Sequence, residues 1–341
     1  EERQSGYDTA TAKELTFSLP NSVTGGVYTT EVWVKPMDSA LPEFLVRLIG
    51  KYNTSDINKD VVKTDTTGKV TAPSAAKDMT GQDLKLTSNA WNKIEVVYDM
   101  DHGRIYSFVN GYGVGSISWG ATEFNSILIS AGAGGCDMYI DDLRVYNEDS
   151  ALYGAATPEG YIEYEDFTAM GTKVSNAGGA NVMDFNRMTF GNAAWRGSAY
   201  ATKTDKGISL CMGDPTGNTL AANKYNDVTW TPAEILSDTD GVYVIGFNER
   251  FDSDTTCKLT IRLYSSDNAK QTEFVISDDG YLSGGNSSAH FEKGKWNSAE
   301  IKVDLNAKTA SFSINGTIVQ TKDITNENIK SILFNTSLSG N

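Results

Sequence analysis

The stretch AWNKIEVVYDMDHGRIYSFVNG, Ala90 to Gly111, returns as KWNSAEIKVDLNAKTASFSING, Lys295 to Gly316, and the two align without a gap. Under one constant offset Trp91 meets Trp296, Asn92 meets Asn297, Glu95 meets Glu300, Asp99 meets Asp304, and Asn110-Gly111 meet Asn315-Gly316. At the same offset Ser126-Ile127-Leu128 meet Ser331-Ile332-Leu333. Upstream, with the offset slightly changed, Gly26-Val27-Tyr28 face Gly241-Val242-Tyr243 and Arg47 faces Arg262; earlier still, YDTATAK from Tyr7 faces YATKTDK from Tyr200. Blocks that recur in the same order mean a duplicated domain, so whatever fold this chain takes, it takes twice.

Each block alternates with a period of two. Ile94, Val96 and Tyr98 share one face with their counterparts Ala299, Ile301 and Val303, while Glu95 and Glu300 point the other way, which is the pattern of a half-buried strand. The turns DMDHG and DLNAK then reverse the chain into Ile105, Ser107, Val109 and into Ala310, Phe312, Ile314. Asn110-Gly111 and Asn315-Gly316 mark the next tight turns, because Asn-Gly accepts the positive φ angles of a two-residue connection. Further strands are expected over 27–35, 44–51, 61–64, 137–147, 241–250 and 258–265. No sustained helical periodicity competes with them, and many short strands between turn signals predict an all-β chain of two tandem antiparallel sandwiches.

At 341 residues the chain exceeds what one hydrophobic core usually serves, in keeping with two domains. Asp plus Glu number 44 against 29 Lys plus Arg, a formal charge of -15, which argues against nucleic acid and anionic lipid as partners and leaves neutral ligands open. The longest apolar runs are a few residues, so no segment could span a bilayer. The first residue is Glu1, with neither initiator Met nor signal peptide, so the chain reads as a mature or excised piece. Cys136, Cys211 and Cys257 are too scattered for a disulfide framework and read as small buried hydrophobes, a Cys211–Cys257 bridge being the alternative. A His-based metal site or Ser-His-Asp triad would have to rest on His102 or His290, the only two histidines.

The order of strand, W-x-x-I/A-x-V, hairpin, V/I-N-G and then YIDDLRVYN from Tyr139 to Asn147 resembles the laminin-G-like branch of the concanavalin A-like lectin/glucanase superfamily. The resemblance covers most of both copies and rests on Trp91, Asp99, Asn110, Gly111 and Asp141 to Tyr146 in the first, and on Trp296, Asp304, Asn315 and Gly316 in the second. It implies jelly-roll sandwiches of two curved sheets, usually secreted and frequently carbohydrate-binding or adhesive. On this reading 1–150 is the first copy, 151–160 a linker and 161–341 the second copy. YIEYEDF, Tyr161 to Phe167, is expected to open the second copy, with no equivalent in the first, and the second copy is expected to lack the closing strand that DMYIDDLRVYN supplies to the first. Neighbouring domains or chains would then complete the sheets, since an unpaired edge invites pairing.

Proteins hold neutral sugars with an aromatic ring on the pyranose face and polar groups that match hydroxyls. Trp33 is the leading candidate: alternation sets it opposite Val32 and Val34 and beside Glu31, on a face away from the core, while its counterpart is Asn248. Tyr52, Tyr112 and Trp119 in the first copy, and Trp195, Trp230 and Tyr281 in the second, lie in or beside loops, where either rim binding or packing could use them. Tyr106 and Phe108 face Ser311 and Ser313, an asymmetry that favours packing over binding, and Trp91 and Trp296 are assigned to structure because they recur. Glu163 and Glu165 with Asp141 and Asp142 resemble the oxygen set of the structural calcium sites in secreted sugar-binding sandwiches, so calcium is a candidate cofactor. SDDGY near Asp278 is an ordinary turn without EF-hand spacing. The glucanase patterns E-x-D-x-x-E and E-x-D-x-E are absent, so no catalysis is expected. The leading expectation is therefore a secreted, non-catalytic polysaccharide-binding module pair from a larger bacterial extracellular protein or carbohydrate-active enzyme. The alternative is a structural or adhesive repeat of a cell-surface adhesin or filament.

Overall fold

The computed structural model of the chain describes residues 13–37, 41, 43–73, 75–76, 82–132, 137–154, 157, 159–163, 165, 167, 174–175, 181–182, 188–190, 199–212, 225–237, 241–252 and 255–338. The chain divides into two compact units, Glu1–Asn186 with Tyr200–Cys211, and Arg187–Ala199 with Met212–Asn341. This division differs from a boundary at 151–160, and contacts inside the first unit explain why. Tyr200 lays its ring 4.8 Å from that of Tyr112, and Lys203 Nζ lies 2.5 Å from Glu148 Oε1, so a hairpin distant in sequence belongs to the first unit.

In the first unit the strands are β1 (Lys13–Val23), β2 (Val27–Pro36), β3 (Phe44–Tyr52), β4 (Ser55–Thr64), β5 (Val70–Ala72), β6 (Asn92–Asp99), β7 (Arg104–Val109), β8 (Tyr112–Ser118), β9 (Glu123–Ala131) and β10 (Met138–Glu148). They form two antiparallel sheets in the orders β1-β9-β3-β4-β5 and β10-β2-β6-β7-β8. β11 (Val174–Ser175) pairs with β12 (Asn181–Val182), β13 (Met188–Phe190) joins the second unit, and β14 (Ala199–Thr204) with β15 (Gly207–Met212) makes the hairpin already mentioned. The second unit continues with β16 (Tyr225–Trp230), β17 (Val242–Glu249), β18 (Cys257–Tyr264), β19 (Lys270–Ile276), β20 (Asn297–Asp304), β21 (Thr309–Ile314), β22 (Thr317–Asp323) and β23 (Ser331–Leu338). Its sheets run β13-β16-β23-β18-β19 and β17-β20-β21-β22. Each unit is thus a sandwich of two antiparallel sheets, the all-β fold that the alternation predicts.

The core lies between the sheets. In the first unit Val32, Val34, Ile94 and Val96 meet Val46, Leu48, Ile127 and Ile129; in the second Ala299, Ile301, Val303, Phe312 and Ile314 meet Leu259, Ile261, Leu263 and Phe274. Each fully buried branched or aromatic side chain contributes about 1.5–3 kcal/mol, which fixes the register: a slip by one residue would turn every one of these outward. The duplicated registers agree residue for residue, with Val27 opposite Asp99 in one unit and Val242 opposite Asp304 in the other.

The repeated asparagines have a precise structural duty. Asn92 is buried; its Nδ2 donates to the Thr87 and Ala90 carbonyls at 2.9 Å, and its Oδ1 accepts from Thr87 N at 2.8 Å and from Asn110 Nδ2 at 3.1 Å. Asn110 in turn accepts the Lys93 N–H on its Oδ1 at 2.9 Å while holding φ at 52°. Asn297 and Asn315 repeat the arrangement, Nδ2 of Asn315 donating to Asn297 Oδ1 at 3.2 Å and Ser298 N to Asn315 Oδ1 at 2.9 Å. A pair of side-chain amides therefore ties the entry of one strand to the turn that ends its neighbour, satisfying backbone groups that the sheet leaves open. The adjacent tryptophans, assigned to structure, are not core residues: Trp91 is 44% exposed, and Trp296 is half-buried with the Arg250 guanidinium 5.3 Å from its ring.

Two edge expectations differ from what is found. β1 stands beside β9 as β16 stands beside β23, so the first unit does have a strand at the place where none was expected. The described residues of 161–167 are not in a strand, and Tyr161 and Ile162 are exposed. The physical reason is burial: β16 lays Val228 fully into the second unit, whereas β1 is an exposed edge whose alternation leaves little hydrophobic signal. At the other edge β10 pairs with β2, and the equivalent side of β17 has no partner strand among the described residues.

Candidate functional site

The outer face of the sheet β10-β2-β6-β7-β8 carries the candidate site. Alternation along β2 sends Val32 and Val34 into the core and Glu31, Trp33 and Lys35 out. In register Trp33 lies between Lys93 on β6 and Asp141 on β10. β10 sends Met138 and Ile140 to the core, then bulges at Asp141-Asp142, where Asp142 takes φ 49°, so that Leu143 and Val145 also reach the core. Tyr139, Asp141, Arg144 and Tyr146 therefore point outward beside Trp33. Tyr139 is 52% exposed and is the diagonal neighbour of Trp33, at the separation of roughly 7–8 Å from which large rings on one sheet face reach each other.

Charges frame the rings. Lys93 Nζ lies 2.9 Å from Glu95 Oε1 and 3.0 Å from Glu31 Oε2. Desolvation pulls the Lys93 pKa down, but the two carboxylates outweigh it and hold the ammonium above its ordinary value. Arg144 pairs with Asp142 at 3.1 Å. The β7 side of the same face is closed: Tyr106 and Phe108 are buried, with the Tyr153 ring 6.2 Å from Tyr106. That accounts for the aromatic-for-serine asymmetry as packing. Lys203 covers the far end of β10, 3.2 Å from the Tyr146 hydroxyl. The accessible part is thus the strip formed by Trp33, Tyr139 and their charged neighbours.

Several sequence candidates lie elsewhere. Trp119 is only 4% exposed and packs 4.7 Å from the Tyr98 ring; a Cβ on Gly50 would sit 2.9 Å from it, so Trp119 is a core residue and no rim aromatic. Tyr112 is likewise buried, under Tyr200. Both rings lie near loops, yet burying so much apolar area outweighs anything gained by leaving them in water. Tyr52 is exposed but ends β3 on the other sheet, at a turn where Asn53 has φ 55°. Trp230 on β16 packs partly against the second core, and Tyr281 stacks on His290 at 4.6 Å and 15°. Trp195 lies outside the described residues.

Asp141 Oδ1 accepts the Asp142 N–H at 2.8 Å, Asp142 faces Arg144, and Glu165 Oε1 accepts the Phe167 N–H at 2.7 Å. Among the described residues no group of three or more His, Cys, Asp or Glu is placed to hold a metal ion. Asp279, near the calcium-like SDDGY, caps its own turn: it accepts from the Ser277 hydroxyl and the Tyr281 N–H, which lower its pKa. Cys211 and Cys257 form no disulfide, and Cys136 lies outside the described residues.

The residues that sequence reasoning missed are Tyr139, Arg144 and Tyr146. They stood inside YIDDLRVYN, taken only as a mark of the fold. The signal that could have found them is the doubled Asp between Ile140 and Leu143, which breaks the period of two and announces the bulge.

No protein-family model matches the chain, and no curated protein matches it. Among solved structures, domains LG4-5 of the mouse laminin alpha1 chain are 11% identical over 98% of this chain and 84% of theirs, with a TM-score of 0.23. A sialidase is 12% identical over 82% of this chain, with a TM-score of 0.33, and the matched part spans 28% of the sialidase chain. A truncated AlyQ with CBM32 and alginate lyase domains is 10% identical over 98% of this chain and 86% of its own, with a TM-score of 0.25.

Proposed function

We propose that the first unit is a non-catalytic carbohydrate-binding module whose outer face, around Trp33 and Tyr139, takes one stretch of a polysaccharide. The observation that carries this reading is the diagonal pair of rings on an open sheet face, with Glu31, Lys93, Asp141 and Arg144 around it. Rings so placed can lie against pyranose faces, and the charged groups can meet hydroxyls. The net charge of -15 favours a neutral polymer over an acidic one. Glu31 and Glu95 both pair with Lys93, which fixes the position of its ammonium group on this face. The second unit has Asn248 for Trp33 and Gly246 for Glu31, so binding belongs to the first copy. We place the protein outside the cell, as part of a larger bacterial surface protein or carbohydrate-active enzyme. No helix among the described residues is long and apolar enough to cross a membrane.

The test is affinity electrophoresis of the chain and of its Trp33→Ala and Tyr139→Ala variants through gels containing plant, algal or bacterial polysaccharides, with calcium and with chelator. Retardation on one neutral polymer class, lost in either variant while circular dichroism is unchanged, is the expected result. Migration unaffected by every polymer would overturn the reading in favour of a structural or adhesive repeat.

A further inference from the structure

Trp91 stands one residue before β6 and is 44% exposed. Asn89 N donates to the Pro36 carbonyl at 2.6 Å, so the chain already runs beside the end of β2 when it reaches Trp91. Asn92 is buried and Lys93 lies outward opposite Trp33, so alternation puts Trp91 on the outer face with Lys93. Trp33 has Lys93 as its partner on one side and Asp141 on the other. Its two diagonal neighbours are therefore Trp91 and Tyr139, each at roughly the 7–8 Å from which large rings on one face reach each other. Rings at β10, β2 and the start of β6 thus form one row across the strands, spanning roughly 10 Å at the usual strand spacing.

The charged side chains are drawn away from this row. Lys93 Nζ is held by Glu31 and Glu95, which lie one step further along the strands, toward the end closed by Tyr106, Phe108 and Tyr153. Arg144 is held by Asp142. With both cations paired, the rings have no cluster of free positive charge beside them among the described residues, which leaves an acidic polymer nothing to favour it. In the second unit the cation does the opposite. Arg250, the counterpart of Lys35, places its guanidinium 5.3 Å from the Trp296 ring and also pairs with Asp252, while Asn248 stands in place of Trp33. The recurring tryptophan is capped in the second copy, and among the described residues no cation caps it in the first.

We propose that Trp91 is a third ligand ring, and that Tyr139, Trp33 and Trp91 together recognise consecutive units in the backbone of an extended neutral polysaccharide laid across β10, β2 and β6. The proposal rests on the carbohydrate-binding reading above and narrows its ligand from a polymer to the backbone of one, as against its terminal sugar. A terminal sugar is held by polar groups that surround its hydroxyls. A row of rings on an open face instead supports successive pyranose faces and leaves their edges in water. Rings mounted on paired strands are already ordered, so presenting them costs little entropy on binding. The direction follows from what lies along the strands. A chain parallel to them would meet Tyr106 and Phe108 under Tyr153, and Lys203 over Tyr146, whereas one running across them passes out over β10, the outer strand of its sheet.

The probes are the neutral polymers xyloglucan, galactomannan and mixed-linkage β-glucan, cast in gels, with the oligosaccharides that partial acid hydrolysis releases from each as competitors. Trp91→Ala should weaken retardation of the full chain roughly tenfold, Trp91→Tyr, which keeps a ring, should restore most of it, and Trp296→Ala should leave it unchanged. Competition should strengthen with oligosaccharide length until the row of rings is spanned, and the monosaccharide should not compete. Hydroxyl-radical footprinting of the wild type keeps the test open should Trp91→Ala disturb the fold: the longest oligosaccharide should protect Trp91 together with Trp33, and not Trp296. Retardation abolished by Trp33→Ala but kept in Trp91→Ala, or a Trp91 left unprotected beside a protected Trp33, would overturn the third ring while the binding reading stands. A monosaccharide competing as well as the longest oligosaccharide would overturn backbone recognition in favour of a terminal sugar. Migration slowed only by some other class of polymer would overturn the extended neutral backbone, and migration slowed by none would sink the binding reading and this inference with it.

Discussion

Glu249 stands where a hydrocarbon should be. Its counterpart across the duplication is Val34, fully buried, and both occupy the same register, opposite Asn297 and Asn92 respectively. Desolvation pushes the Glu249 carboxyl up from 4.5 to about 7. The folded state therefore binds a proton more tightly than the unfolded state between those values. Its contribution to stability is best below the unfolded pKa, falls as pH rises through the window from about 4.5 to 7, and is flat above it. Each pKa unit corresponds to about 1.36 kcal/mol, so the ionised carboxylate costs at most about 3 kcal/mol at pH 8; partial access to water makes that the ceiling. Glu249→Gln should thus stabilise the second unit by about 2–3 kcal/mol at pH 8 and by almost nothing near pH 4. Glu249→Val, the residue of the first copy, should do at least as well at pH 8. The assay is urea unfolding of wild type and variants across pH 4–8, with hydrogen exchange of β20 as the local reader of the second unit. Asp267, Asp279 and Glu292, whose pKa values are lowered by their hydrogen bonds, give the wild type an opposite trend with pH, so only the difference between wild type and variant isolates Glu249. A difference that stays constant from pH 4 to 8, or that grows toward acid, would refute the reasoning.

The paired asparagines should be costly to lose in both units: Asn92→Ala and Asn297→Ala each strand buried backbone groups and should destabilise their own unit by about 2–4 kcal/mol in urea unfolding, leaving the other transition in place. Two buried tyrosines should respond with opposite signs. The Tyr98 hydroxyl donates to the Ala121 carbonyl at 2.9 Å, so Tyr98→Phe should cost about 1 kcal/mol, whereas the buried Tyr153 hydroxyl has no hydrogen-bond partner among the described residues and Tyr153→Phe should be neutral or stabilising by about 1 kcal/mol. Thermal or urea midpoints of the two variants measured side by side check the contrast.

The strands that form the inner sheet of each repeat were legible because their burial is periodic and local. The expected spans 27–35 and 241–250 correspond to β2, Val27–Pro36, and β17, Val242–Glu249. The face of Trp33 was legible for the same reason, since Val32 and Val34 on either side fix which way it points. What the sequence hid depends on contacts across long separations. Whether Trp119 lines a rim or a core is decided by Tyr98 and Phe124, and the fate of Tyr112 is decided by Tyr200. β1 was invisible because an exposed edge strand needs no alternation, and β16 because Val228 alone among its described side chains is deeply buried, which leaves no period to read.

The asymmetry between the copies follows from what each outer sheet face meets. Where the first unit has Tyr106 and Phe108 beneath Tyr153, the second has Ser311 and Ser313, whose strand needs no cover; the Ser311 hydroxyl instead pairs with that of Thr321 at 2.9 Å. Where the first has Trp33 and Glu31 flanked by β10, the second has Asn248 and Gly246 on an edge. Val32, Ile94, Val96 and Tyr98 of the first core correspond to the apolar Phe247, Ala299, Ile301 and Val303 of the second, and the asparagine pair is the same in both, because these decide whether either sandwich folds at all; Glu249 in the place of Val34 is the exception. Apart from Glu249, the copies differ on these outer faces, with an aromatic strip in one and Gly246, Asn248, Ser311 and Ser313 in the other. The proposed polysaccharide would therefore occupy the first unit alone, and Asn248→Ala, at the counterpart of Trp33, should leave retardation by polysaccharide unchanged.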